Sequence, residues 1–318
     1  MLDITVCIMS YNRPQYLREA LLSVIHQSQK PRKVVIYDNG SDEDVYKAVA
    51  DLLTKDINFV STDINKGVIW NLERAIASTN TKYMMLFHDD DILNENFLAI
   101  QMGLLEENDK LVALSSNAKI LDKNGVKKNI SLLSMNRNKP IEIYKNSGEV
   151  AMKYASNSCI PLSPTIYRTS NLKNITMRKD FDKVFDAVMF CDLSENGWVG
   201  CNMSPNFYLR VHGNQDSTVL PYDLMEKLEG FLWTRNCPTR YMQKQLHKKL
   251  LIQHTMRNIR TAYLALEKKD YAKFRKLLFD KKNYTLNLFN VLFLRLPTQL
   301  VKLLLSNKNN NFNELRKK

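Results

Sequence analysis

With 318 residues, 46 Lys plus Arg against 33 Asp plus Glu and a net charge of +13, the chain is long enough for about two domains. Its 44% apolar and 25% charged residues supply an ordinary globular core and exclude a disordered or fibrous chain. Divided by position, residues 1–220 carry 25 basic and 26 acidic side chains, a net of −1, whereas residues 221–318 carry 21 and 7, a net of +14, so the basic excess belongs to the last 98 residues.

In chain order, Ile4–Ser10 reads as a strand, and Arg13-Pro14 opens a helix through Leu17, Leu21, Leu22 and Ile25. Lys33–Tyr37 reads as a second strand, ending in Asp38-Asn39-Gly40-Ser41. Residues 43–53 read as a helix with Val45, Val49, Leu52 and Leu53 as its apolar positions. Asn58–Ser61 gives a short strand, Val68–Ala77 a helix, and Lys82–Phe87 a strand running directly into His88-Asp89-Asp90-Asp91. Such alternation predicts an α/β fold, a parallel sheet with helices on both faces. Ligands of such sheets bind beyond the carboxyl ends of the strands, and there the polar clusters Ser10–Arg13, Asp38–Ser41 and His88–Asp91 all fall.

From Val112 to about Tyr167 the pattern is less regular, with Asp122-Lys123-Asn124-Gly125 reading as a hairpin turn. Val184–Glu195 reads as a helix with Phe185, Val188, Met189 and Leu193 on one stripe, then come a strand through Val199 and the segment Tyr208–His212. Everything beyond Asp223 reads as helical, up to an Asn-rich stretch at 307–313 that is expected to fray. The five cysteines, Cys7, Cys159, Cys191, Cys201 and Cys237, are odd in number and lack C-x-x-C spacing. They suit free thiols in a reducing cytoplasm better than disulfides or zinc. The opening Met-Leu-Asp-Ile lacks the basic and apolar regions of a leader peptide, and no uncharged apolar run approaches the ~18 residues that span a bilayer.

Three consecutive carboxylates after a buried strand repel one another and lose hydration unless a cation compensates. A solvated turn with one Asp capping the next helix is the plain structural alternative. The strand Tyr83-Met84-Met85-Leu86-Phe87 sets the cluster at the mouth of the sheet, which favours a divalent-metal site of the kind that shares its shell with phosphate oxygens.

Four ordered motifs carry a resemblance. Val6-Cys7-Ile8-Met9-Ser10-Tyr11-Asn12-Arg13-Pro14 resembles the opening strand and turn of family-2 glycosyltransferases. Val34-Val35-Ile36-Tyr37-Asp38-Asn39-Gly40-Ser41-Asp42 is similar to their second strand with its nucleotide-binding Asp. Asn65-Lys66-Gly67 is similar to their Asn-x-Gly turn, and His88-Asp89-Asp90-Asp91-Ile92-Leu93 to their D-x-D-D element. The resemblance covers roughly residues 3–217. It implies a GT-A-like nucleotide-sugar-binding sheet flanked by helices, and the charge split sets the boundary of that catalytic domain, residues 1–220, from a basic, mainly helical C-terminal region in 221–318.

The resemblance further implies that Ser10, Tyr11, Arg13, Asp38, Gly67 and Asn71 bind the donor, together with Asp89, while Asp90 holds a Mn²⁺ or Mg²⁺ ion. His88 stands where the family has the first Asp, leaving that role between positions 88 and 89, and Asn71-Leu72-Glu73 departs from the family's Ala-Arg-Asn. The implied reaction is inverting transfer of a sugar from a nucleoside-diphosphate sugar, expected to be a UDP-sugar, to a glycan or lipid-linked acceptor hydroxyl. The attacking hydroxyl needs a base, and the family's spacing before Gly197 points to Asp186, with Asp182 and Asp192 as rivals. Arg210-Val211-His212 resembles the family's Arg-x-His segment and makes His212 a metal or diphosphate ligand.

The tail interleaves Leu and Phe with Lys and Arg, as in Lys248-Lys249-Leu250-Leu251 and Phe274-Arg275-Lys276-Leu277-Leu278-Phe279. Amphipathic helices on an anionic membrane suit this pattern, as does packing on the catalytic part or on a second copy of the chain. Nucleic acid ranks below both, because no nucleic-acid-binding motif accompanies the charge. The expected setting is cytoplasmic, peripheral at the inner membrane. The alternative from another class is a non-catalytic scaffold acting through its tail. A nucleotidyltransferase would need a triphosphate-binding basic loop after the first strand, where Arg13 stands alone.

Overall fold

The computed structural model describes residues 1–273 except 43, 123–126, 135–139, 157, 213–220 and 271. Strand β1 (Leu2–Ser10) points Ile4, Val6 and Ile8 into one core and Cys7 into the other, as the two-residue period requires. Helix α1 (Pro14–Ile25) opens on Pro14, where a missing N–H costs nothing, and buries Leu17, Ala20, Leu21 and Val24. Strand β2 (Pro31–Asp38) runs parallel to β1, with Ser10 level with Asp38.

The helix expected at 43–53 is not formed. Residues 45–49 make hydrogen-bonded turns that lead into a short 3₁₀ helix, Ala50–Leu52. The Val49 N–H donates to the Tyr46 carbonyl (3.0 Å) and the Leu52 N–H to the Val49 carbonyl (2.9 Å), a three-residue spacing. The Ala48 carbonyl, which an α-helix would offer to Leu52, instead accepts from Arg18 Nη1 at 2.8 Å. Val45 and Val49 are still buried, so the apolar pattern served the core without an α-helix.

Strand β3 (Ile57–Val60), helix α2 (Val68–Ser78) and strand β4 (Tyr83–His88) follow as expected. Then come β5 (Ile92–Leu93), α3 (Phe97–Glu106), β6 (Leu111–Asp122), β7 (Lys127–Ser131), β8 (Ile141–Tyr144) and α4 (Ser147–Tyr154). Strands β6 and β7 pair antiparallel, as a hairpin demands, while the turn read at 122–125 lies outside the described residues from 123 on. Strand β9 (Thr165–Arg168), the short α5 (Thr169–Lys173) and α6 (Phe185–Leu193) lead to β10 (Trp198–Val211). The two segments read around Val199 and Tyr208–His212 are thus one strand, with an irregular register between Asn202 and Phe207. Helices α7 (Tyr222–Trp233) and α8 (Arg240–Glu267) complete the described chain. The tail patterns at 274–279, 286–296 and 300–305 and the Asn-rich stretch lie outside it.

The sheet has the order β3-β2-β1-β4-β9-β6-β10-β5, with β7 on β6 and β8 on β10. It is parallel from β3 through β4, and β9 joins antiparallel. One face packs α1 and α3 around Leu17, Leu21, Phe97 and Leu98. The other carries α2, α4 and α6, and takes in Leu224, Leu228, Leu232, Leu246 and Leu250 from α7 and α8. A Cβ on Gly148 would stand 2.1 Å from the Asn236 carbonyl oxygen, so only glycine lets the α7–α8 connection approach α4 so closely. Between α7 and α8, Glu229 contacts Arg257 and His254 (3.1 Å to Nδ1), and the Tyr222 hydroxyl donates to Asn258 at 2.6 Å. All five cysteines are free. Among the described residues no helix is long and apolar enough to cross a membrane.

Candidate functional site

Parallel register brings the sequence motifs together. Ser10 is level with Asp38 on one side of β1, and Met9 is level with His88 on the other, so the turns after β1, β2 and β4 share one edge. The first two turns clasp each other. The Asn12 N–H donates to Ser41 Oγ (2.8 Å) and the Asp42 N–H to the Asn12 side-chain carbonyl (2.7 Å), with Asn12 at φ +52°. Asp38 is buried and accepts the Ser41 N–H at 3.2 Å and the Ser41 hydroxyl at 2.5 Å. Asn39 bonds the Asn65 side chain (2.9 Å) and accepts the Lys66 N–H (3.2 Å), tying in the turn that ends at Gly67. Gly67 has φ +89° and stands exposed at the start of α2. Ser10 Oγ is buried without a hydrogen-bond partner among the described residues, and so keeps its capacity for a ligand.

The three carboxylates after β4 are all buried, and each has its own set of partners. Asp89 accepts the Tyr11 N–H (3.0 Å) and Arg13 Nη1 (3.0 Å). Asp90 lies 3.2 Å from the same Arg13 nitrogen and 2.9 Å from His212 Nε2. Asp91 accepts the Arg210 N–H (3.2 Å) and the Ser163 hydroxyl (3.4 Å), while the His88 N–H donates to Ser163 Oγ at 2.8 Å. Arg210 is 2% exposed, donates to the Asp90 carbonyl (3.0 Å) and pairs with Glu19 (2.5 Å). Its guanidinium lies 4.3 Å from the Tyr16 ring, which also meets His212 at 5.4 Å. Strand β10 and His212 just beyond it therefore close the site from more than 100 residues further along the chain.

Burial raises Asp89 to about 7, with repulsion from Asp90 adding to it and Arg13 opposing. Burial and Asp90 push Asp91 well above the usual carboxylate range. For Asp90, burial is outweighed by the His212 hydrogen bond and by His88 and Arg13, so this carboxylate holds the charge. Ligand atoms of His88, Asp90 and Asp91 lie within 4.8 Å of one another. Two hard carboxylate oxygens and an imidazole form a donor set suited to a divalent cation such as Mn²⁺ or Mg²⁺, whose charge would offset the repulsion among the buried acids.

Asp186 sits in the first turn of α6, a helix buried nearly all round rather than along one stripe. Its carboxylate accepts from the Tyr154 hydroxyl at 3.4 Å, which also donates to the Ile160 carbonyl at 3.3 Å. Tyr154 thus reaches Asp186, while Ser163 reaches Asp91 and His88. Burial raises Asp186 to about 6, against hydrogen bonds from the Ala187 backbone and Tyr154. Of the rivals, Asp182 is exposed at φ +39°, and Asp192 is paired with Arg235 at 3.1 Å.

Among the residues singled out from sequence, Tyr11, Arg13, Asp89, Asp90 and His212 meet in one network. Asp38, Gly67 and Ser10 stand beside it. Asn71 is buried and directs its amide inward, donating to the Tyr37 carbonyl (2.9 Å) and accepting from Arg74 (2.7 Å). Residues 213–217 of the closing segment lie outside the described residues. Asp91, Ser163, Arg210 and Tyr154 were not singled out. Asp91 and Arg210 stand inside motifs already read, whereas Ser163 and Tyr154 have no local signal and reach the site through folding.

Residues 5–175 match the family described as Glycosyl transferase family 2. An uncharacterized glycosyltransferase of Haemophilus influenzae is 24% identical over 233 residues, 70% of this chain and 70% of that protein. A poly-beta-1,6-N-acetyl-D-glucosamine synthase of Staphylococcus epidermidis is 22% identical over 124 residues, and the match spans 39% of this chain and only 30% of the synthase. Among solved structures, S. aureus TarS residues 1–349 in complex with UDP-GlcNAc superposes with a TM-score of 0.62 at 16% identity, covering 87% of this chain and 80% of that one. A further TarS 1–349 structure covers 94% of this chain and 76% of its own, with a TM-score of 0.56 at 15% identity. The α/β sheet flanked by helices, followed by a helical C-terminal region, is thus a GT-A-like fold.

Proposed function

Because the chain belongs to glycosyl transferase family 2 and is a glycosyltransferase, we propose that it moves a sugar, with inversion, from a UDP-sugar to a glycan or lipid-linked acceptor hydroxyl. The observation that carries this reading is the gathering of Ser10, Arg13, Asp38 and the His88–Asp91 cluster at one sheet edge. The TarS structure with UDP-GlcNAc supports the choice of donor, and the Staphylococcus epidermidis synthase supports polysaccharide as the product class.

In this reading Asp38 and Ser10 hold the nucleoside, the Gly67 turn borders it, and Arg13 orients Asp89 and Asp90. His88, Asp90 and Asp91 would hold the Mn²⁺ or Mg²⁺ ion, with His212 beside Asp90. When bound, the cation supplies positive charge against the charge that develops on the departing diphosphate. Asp186 takes the proton of the acceptor hydroxyl as its oxygen bonds to the anomeric carbon and the bond from that carbon to the diphosphate oxygen breaks. Residues 1–220 form the catalytic part and 221–318 a basic region for placement at the cytoplasmic face of the inner membrane. The raised pKa of Asp186, about 6, supports its role, since a base titrating near neutrality is poised for proton transfer.

Calorimetry with UDP and Mn²⁺ tests the donor half. The wild-type chain should bind UDP more tightly with Mn²⁺ than without it, and Asp90→Ala should abolish the difference. UDP affinity indifferent to Mn²⁺ in the wild type would overturn the metal-dependent reading.

A further inference from the structure

Helix α8 leaves large side chains partly open to solvent among the described residues: Tyr241 is 70% exposed, Ile252 47%, Met256 36% and Leu264 49%. The four-residue spacing of 252, 256, 260 and 264 sets the apolar three and Arg260 along one side, and Lys244 and Lys248 lie exposed one and two turns before them. The opposite side is spent on the fold. There Leu246, Leu250, Ile259 and Ala262 are buried, and α8 packs on α4 and α7. Within Arg240–Glu267 there are six Lys or Arg residues and a single acid, Glu267.

We infer that the outer side of α8 is a docking surface for an anionic lipid bilayer. Ile252, Met256 and Leu264 enter the boundary between headgroups and acyl chains, and Lys244, Lys248 and Arg260 meet the lipid phosphates. Nucleic acid would answer the charge but leave three aliphatic side chains in water. A protein partner would cover these side chains, but nothing on this side asks for a particular complement except negative charge. The net of +14 in residues 221–318 supplies the attraction that brings the helix to the surface.

The same helix touches the segment beside Asp186. Lys249 Nζ donates to Ser156 Oγ at 2.5 Å, Gln253 Nε2 to the Tyr154 carbonyl at 3.2 Å, and the Tyr154 hydroxyl to Asp186 at 3.4 Å. Seating α8 on a bilayer therefore holds Asp186 near the membrane, which suits a lipid-linked acceptor. This acceptor class rests on the transfer reading above; the docking itself does not.

Flotation of the full chain with vesicles tests it, using phosphatidylcholine alone and phosphatidylcholine mixed with phosphatidylglycerol. The wild type should float with the mixed vesicles and not with the neutral ones. Ile252→Asp/Leu264→Asp and, separately, Lys244→Glu/Lys248→Glu should each weaken binding about tenfold or more with unchanged melting curves. The inference is overturned if the wild type stays unbound, if it binds both compositions equally, or if both variants float as the wild type does. The last result would mean that residues 274–318 carry the attachment or that something else covers α8. UDP binding with Mn²⁺, measured on the same preparations, should be unaffected by either variant, and its absence in the wild type would count against the transfer reading alone.

Discussion

At the scale of single residues, the decisive contrast is between carboxylates of one chemistry in different surroundings. Asp90 is held ionised by His212, His88 and Arg13, whereas burial pushes Asp89 and Asp91 upward and takes Asp186 to about 6. If Asp186 is the base, transfer needs it ionised, so the rate of sugar transfer should rise through pH 6 and level off above it. Asp186→Asn should lower that rate by about 10²–10⁴-fold and remove this limb of the profile. The same shift has a consequence for stability. A carboxyl with a pKa near 6 in the folded chain and ~3.9 when unfolded favours folding while protonated, and this contribution is lost as the pH rises through the folded value. Asp186→Asn should therefore raise the melting temperature relative to wild type at pH 8, and the difference should shrink as the pH falls toward 4.

At the scale of elements, the turns after the strands do more than connect. Gly40 has φ +72°, and a Cβ there would stand 2.3 Å from the Ile64 carbonyl carbon and 2.7 Å from the Asn65 nitrogen. Gly40→Ala should thus destabilise the chain by about 2 kcal/mol in urea unfolding, and weaken UDP binding because Asp38 and the Asn65–Gly67 turn lose their common support. The elements also mark where the sequence was legible. Strands β1, β2 and β4 and helices α1 and α2 were visible because their periodicity and their turn residues agree. At 43–53 the apolar spacing serves the core, yet the hydrogen bonds at Val49 and Leu52 span three residues and the Ala48 carbonyl accepts from Arg18, 30 residues distant. An apolar spacing cannot report such a competitor. The split reading of β10 has a similar source, since its irregular register around Asn202 to Phe207 is absorbed by pairing with β6.

At the scale of the whole molecule, composition and packing divide the chain differently. Charge changes near residue 220, yet Leu224, Leu228, Leu232, Leu246 and Leu250 are buried in the same core as α4 and α6. Burial of five leucines is worth on the order of 10 kcal/mol, comparable to the entire stability of a typical domain. A chain ending at residue 220 should therefore lose its cooperative thermal transition, as calorimetry would show. By itself the sequence determined the alternation of strands and helices, the three polar strand ends and the basic C-terminal region, because hydrophobic period, turn chemistry and charge are local properties. Only the tertiary structure decided that Arg13 bridges Asp89 and Asp90, that Arg210 and His212 arrive from β10 to complete the site, and that α8 buries one side and bares the other. Those contacts join residues up to 191 positions apart, and strand register and helix packing, which no local pattern encodes, set which of them meet.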